Sequence, residues 1–141
     1  MQLSKHLSLT EAIKSSTAIR HKINNNPSPE IIERMKLVAE NIFEPVREHF
    51  KTPIGVSSMY RSKDLNKAVK GSKTSQHMTG EAIDIDADIF GNITNKMIFE
   101  FVRDNLDFDQ LIWEYGDKHN PAWVHVSYKK QGNRKQILYV R

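Results

Sequence analysis

Apolar residues recur along this chain in two rhythms, and the switch between them divides it. Ile31, Met35, Val38, Ile42, Val46 and Phe50 follow the helical spacing of three and four, with Ile32, Ala39 and Phe43 widening the stripe. Ser28-Pro29-Glu30 supplies a cap, a proline for the first turn and an acid beside the positive helix end. The spacing therefore predicts one long helix with a buried face, and Pro45 inside it predicts a kink or a freed carbonyl. Upstream, Ser8-Leu9-Thr10-Glu11 has the form of a capping box, which predicts a short helix to about Arg20. Asn24-Asn25-Asn26-Pro27 then breaks the chain.

Further on, the period of two takes over. Ile54 to Ser58 predicts a short strand, and Ser62 is placed to cap a short helix through Val69. From Glu81 to Asp86, Ile83 and Ile85 fall on one face and Ala82, Asp84 and Asp86 on the other. Met97, Ile98, Phe101, Val102 and Leu106 mark another helix. Asp109–Glu114, Trp123–Tyr128 and Gln136–Val140 read as strands. Helices come early and strands come late and close together. That order predicts an α+β fold, with N-terminal helices packed on a small antiparallel sheet that the Ile54–Ser58 strand joins. At 141 residues, without a repeat or a long linker, residues 1–141 are expected to form a single domain.

Composition narrows the chemistry. There are no cysteines, which excludes disulfides, thiol catalysis and thiolate metal sites. Any metal must be held by His, Asp or Glu, a donor set that suits a catalytic centre better than a structural one. No apolar run approaches the roughly 20 residues needed to cross a bilayer, and Met1-Gln2-Leu3-Ser4-Lys5-His6 lacks the apolar core of a secretory signal. The chain is thus expected to stay in the cytoplasm, or to leave by a route that needs no signal. The formal charge of +4 suits nucleic acid, an anionic cell-wall polymer, or no particular partner. No nucleic-acid-binding motif accompanies it, so no nucleic-acid partner is expected.

The chemistry-bearing residues cluster. Ser75-Gln76-His77-Met78-Thr79-Gly80-Glu81-Ala82-Ile83-Asp84 offers an imidazole and a carboxylate on a loop that runs into a strand. In Trp123-Val124-His125-Val126-Ser127, His125 shares a strand face with Trp123 and Ser127. His77, Asp84 and His125 can converge, and three such ligands without a fourth leave a position open for water on zinc. That water needs a base, and Glu114 ends a neighbouring strand on the face of Gln110 and Ile112. Arg61, after the first strand of the sheet, can present a bidentate fork to a carboxylate or a carbonyl oxygen. Ser75 can orient the loop by a local hydrogen bond or touch substrate.

Ser75-x-His77-x-x-Gly80-x-Ala82-x-Asp84 followed by Trp123-x-His125 resembles the zinc D-alanyl-D-alanine carboxypeptidases of the LAS group of metallopeptidases, which also includes hedgehog-type members. Tyr60-Arg61-Ser62 is similar to the segment carrying that family's substrate-binding arginine, and Leu9-Thr10-Glu11-Ala12 is similar to small phage-borne members. The resemblance covers roughly residues 28 to 128. It implies one zinc ion on His77, Asp84 and His125, a LAS/hedgehog-like sheet carrying it, and hydrolysis of peptide bonds in peptidoglycan stem peptides by a monomer. It also implies a lysin or virion-associated enzyme as the way such a chain would meet a cell wall. Many members place the catalytic acid three residues before the last histidine, and here that position is Ala122. A hedgehog-like spacing puts a glutamate at the end of the preceding strand instead, which makes Glu114 the expected base. The alternative implied by Ala122 is a zinc-containing cell-wall or protein-binding module that does not hydrolyse.

Overall fold

The computed structural model describes residues 1–141. Two short strands open the chain, β1 (Gln2–Ser4) and β2 (Leu7–Ser8), paired antiparallel as a hairpin. The hairpin is clamped to the body by Glu44, which accepts hydrogen bonds from the His6 backbone N–H and the Ser4 hydroxyl and meets His6 Nδ1 at 2.7 Å. Neither strand stands out in the pattern of apolar residues. Both are too short to show a period.

The single helix expected from Ser8 to Arg20 is two. Ser8 caps α1 (Leu9–Ile13), and Ser15, in extended conformation, caps α2 (Ser16–Arg20) through the Ala18 N–H. A second good cap side chain inside the segment offers the backbone an alternative to continuing the first helix. Ser28 caps α3 (Pro29–Val38), with Pro29 in its first turn. At Pro45 the regular α-helical ladder is interrupted, as expected of a proline inside a helix. Residues Ala39–Phe43 widen into a π-helical turn that leads into α4 (Glu44–Phe50), where Pro45 sits in the first turn. The wider turn absorbs the missing N–H without ending the buried stripe: Met35, Val38, Ala39, Ile42, Phe43 and Val46 are all buried.

The main sheet has five strands: β3 (Gly55–Ser58), β4 (Ala82–Asp86), β5 (Gln110–Glu114), β6 (Trp123–Ser127) and β7 (Gln136–Val140). Their spatial order is β3-β4-β6-β5-β7. Two further helices, α5 (Lys63–Ala68) and α6 (Asn95–Asn105), are capped by Ser62 and Thr94, as the sequence led us to expect for the first. The sheet is not wholly antiparallel. β7 runs parallel to β5, with Leu111 opposite Ile137 and Trp113 opposite Tyr139. The reason lies in the return path: residues 128–135 lead from the end of β6 round the start of β5, so β7 begins beside Gln110 and must run the same way as β5. Alternation predicts strands but not their partners.

One face of this sheet is the core. Ile83, Ile85, Leu111, Trp113, Val124 and Val126 are buried against the α3–α4 stripe and against Ile98, Phe99 and Val102 of α6. Helices α3, α4 and α6 supply the cover on that face. No helix is long and apolar enough to cross a membrane.

Candidate metal centre and its cleft

The uncovered face carries the chemistry, because strand alternation that buries Ile83 and Ile85 turns Asp84 the other way. Register does the rest. Asp84 pairs directly with His125 across β4 and β6, and His125 pairs with Ile112 across β6 and β5. Glu114 stands one step along, opposite Trp123. His77 reaches the same point from the loop before β4. That loop folds back through hydrogen bonds from the Gly80 N–H to the His77 carbonyl (3.4 Å) and from the Glu81 N–H to the Gln76 carbonyl (3.0 Å).

Three ligand atoms result, one from each of His77, Asp84 and His125, all within 4.8 Å of one another and all three residues buried. His77 Nε2 lies 3.2 Å from Asp84 Oδ2, and His125 Nδ1 lies 3.0 Å from Asp84 Oδ1. Each separation is close to the edge of a zinc tetrahedron, about 3.3 Å for bonds of about 2.0–2.1 Å, although the two imidazoles face different oxygens of Asp84. The tautomer of His77 is fixed by its other nitrogen. Nδ1 stands 2.6 Å from the Met59 carbonyl, which can only accept, so Nδ1 carries the proton and Nε2 offers its lone pair to the shared point. Burial by itself would push the Asp84 carboxyl up, but His77 and His125 outweigh it and hold that carboxyl well below the usual range. An anionic carboxylate between two imidazoles is a donor set that fits a divalent zinc ion.

Above these residues opens a cleft of about 770 Å³. Arg61, Ser75, His77, Asp84, Glu114 and His125 all line it, so the residues singled out in the sequence share one cavity. Gln110 and Ile112 line it too, as their place on Glu114's strand face requires. Burial pushes the Glu114 carboxyl above its ordinary value, and Asp84 adds to this, while His125, the Trp123 indole and Arg61 pull it down. The indole lies near Glu114 rather than bonded to it, since Trp123 Nε1 has no hydrogen-bond partner. Ser75 does orient the loop: its hydroxyl accepts from the His77 N–H at 3.2 Å and from Arg61 Nη2 at 3.3 Å. Arg61 is tied to the same loop by its backbone N–H, which donates to the His77 carbonyl. Ala122, at the position where an acid was looked for, donates its backbone N–H to the Glu114 carbonyl and is part of the turn that follows β5. Asp86, a tempting neighbour of Asp84, instead caps the short helix at Ala87–Ile89 and accepts from Asn95.

The sequence reading overlooked Asp109, Gln76 and Arg134. Asp109 is wholly buried beside the cleft and binds both of the others. The one signal was an acid directly before an alternating apolar strand, and nothing local says what it meets. No curated protein matches the chain. A family model described as Peptidase M15 matches residues 5–127, a span that holds all six cleft residues singled out above, and the chain belongs to that peptidase family.

Proposed function

We propose that the protein is a zinc-dependent hydrolase of peptide bonds in peptidoglycan stem peptides, of the D-alanyl-D-alanine carboxypeptidase or endopeptidase type. Membership of a metallopeptidase family supports the reaction class. The observation that carries the reading is the convergence of His77, Asp84 and His125 on one point at the floor of a cleft that also presents Glu114 and Arg61.

His77, Asp84 and His125 would hold one zinc ion, leaving room for water and a carbonyl oxygen. Zinc held there supplies Lewis acidity, which makes the water more acidic and the scissile carbonyl more electrophilic. Glu114 takes the proton from the attacking water and returns it to the leaving amine. Its raised carboxyl suits both halves of that transfer better than an ordinary surface carboxylate. Arg61, a half-buried guanidinium fixed through Ser75, presents its remaining donors to a carboxylate or carbonyl oxygen of the peptide. Met59 keeps the His77 ring in one tautomer.

The test is mass spectrometry of muropeptides incubated with the protein, with and without a chelator. New termini should appear only when metal is present. His77→Ala and His125→Ala should lose both zinc and activity, whereas Glu114→Gln should keep zinc and lose turnover. Full activity in a metal-free sample would sink the proposal. A protein that binds zinc but leaves every peptide intact would point to a binding module.

A further inference from the structure

Asp109 sits directly before β5, with its carboxyl completely removed from solvent. It accepts hydrogen bonds from Gln76 Nε2 (2.9 Å), the Arg134 backbone N–H (3.2 Å), Arg134 Nε (2.9 Å) and Arg134 Nη2 (2.9 Å). Lys129 Nζ stands 3.9 Å away. Four bonds use nearly all the acceptor capacity of a carboxylate. Its partners come from two different parts of the chain, and each reaches the cleft.

Gln76 precedes the ligand His77, and its carbonyl receives both the Glu81 N–H and the Thr79 hydroxyl, so it is where the ligand loop folds back. A carboxylate only accepts, so the Gln76 amide nitrogen must face Asp109. That leaves Gln76 Oε1 buried without a partner. A side chain held at such a cost is fixed for a reason other than its own solvation. Arg134 also lines the cleft, gives Nε and Nη2 to Asp109, and keeps Nη1 without a hydrogen bond.

We propose that Asp109 is a positioning residue of the zinc site: through Gln76 it locks the His77 loop to the strand that carries Glu114, and through Arg134 it holds a cation at the cleft wall for an anionic group of the peptide. The inference rests on the zinc-peptidase reading above. It adds a second cation to Arg61, on a separate segment, and so a substrate whose carboxylates are read at two places.

The two arms separate by experiment. Cobalt(II), loaded in place of zinc, reports ligand geometry through its d–d absorption bands, and zinc affinity is measured by competition with a chromophoric chelator. Gln76→Leu, close in shape but unable to donate, should shift the cobalt bands, weaken zinc binding about tenfold, and lower kcat with KM within about twofold. Arg134→Ala should leave bands and zinc affinity unchanged and raise KM several-fold. Gln76→Glu should behave worse than Gln76→Leu, because two carboxylates then meet. Adding Asp109→Asn to it restores a donor–acceptor pair and should recover the cobalt bands. A merely structural Asp109 would lower the melting temperature of these variants alike and move neither bands nor KM. Wild-type bands and zinc affinity in Gln76→Leu overturn the inference while leaving the zinc reading intact. A wild-type protein that shows no cobalt bands overturns both.

Discussion

Gly80→Ala tests whether the fold-back between His77 and Asp84 depends on a residue without a side chain. Gly80 has φ +80°, a conformation that costs an L side chain about 1–2 kcal/mol. Part of this is offset by about 0.4–1 kcal/mol, because alanine narrows the unfolded ensemble. A Cβ there would also stand 2.8 Å from Ile31 Cγ2, 2.8 Å from the Ile31 carbonyl oxygen and 3.0 Å from Met35 Cγ. Ile31 and Met35 belong to α3, and Arg34 of the same helix already grips the loop through the Thr79 carbonyl at 2.7 Å. Overpacking of this kind adds about 1–3 kcal/mol, so the total loss is about 2–4 kcal/mol. Gly91→Ala is the control, since Gly91 has φ +79° with nothing within 4 Å. It carries the strain alone, about 1 kcal/mol. For a chain of this length, 1 kcal/mol is about 3 °C in melting temperature. Calorimetry on metal-free protein should therefore show Gly80→Ala lowered by about 6–12 °C and Gly91→Ala by about 3 °C. Zinc affinity should fall in the first variant and hold in the second. Equal melting temperatures for the two would refute the packing argument, whatever the absolute shifts.

Other outcomes follow from single contacts. Because the Glu114 carboxyl is raised above its ordinary 4.5 and acts ionised, kcat/KM should fall as pH drops through a value above 4.5; in Glu114→Gln that acid limb should vanish with most of the rate. Asn95 is wholly buried and bonds the Ala87 N–H, Asp86 Oδ1 and the carbonyls of Pro121 and Ala122, so Asn95→Ala should cost about 2–3 kcal/mol in denaturant melts through the groups it orphans. The Arg134 guanidinium, helped by Gln76, holds the Asp109 carboxyl well below the usual range despite its burial. A depressed folded value gives stability that is present above the unfolded value near 3.9 and is lost as pH falls below it. Asp109→Asn should accordingly be less stable than wild type at pH 7 and lose less on acidification, which acid titration followed by circular dichroism would show. An unchanged acid slope would remove Asp109 from the account.

The sequence by itself determined the elements whose signal is local. The α3–α4 stripe, the serine caps at Ser8, Ser28 and Ser62, and the outward turn of Asp84 between Ile83 and Ile85 follow from periods and side-chain chemistry within a few residues. His77, Asp84, His125, Glu114, Arg61 and Ser75 were legible as candidates because strand alternation and loop spacing already point them to one side. What the residues could not settle was pairing. Whether Asp84 stands opposite His125 depends on register, and a slip of one residue in either strand would have turned that strand's carboxylate or imidazole to the core face and parted the pair. The parallel β7 depends on a return loop whose path carries no period. The π-helical turn before Pro45 depends on a buried stripe being worth more than a regular hydrogen-bond ladder. Asp109 shows the limit most plainly. Its meaning comes from Gln76, 33 residues before it, and Arg134, 25 residues after it, and only the tertiary structure brings them together.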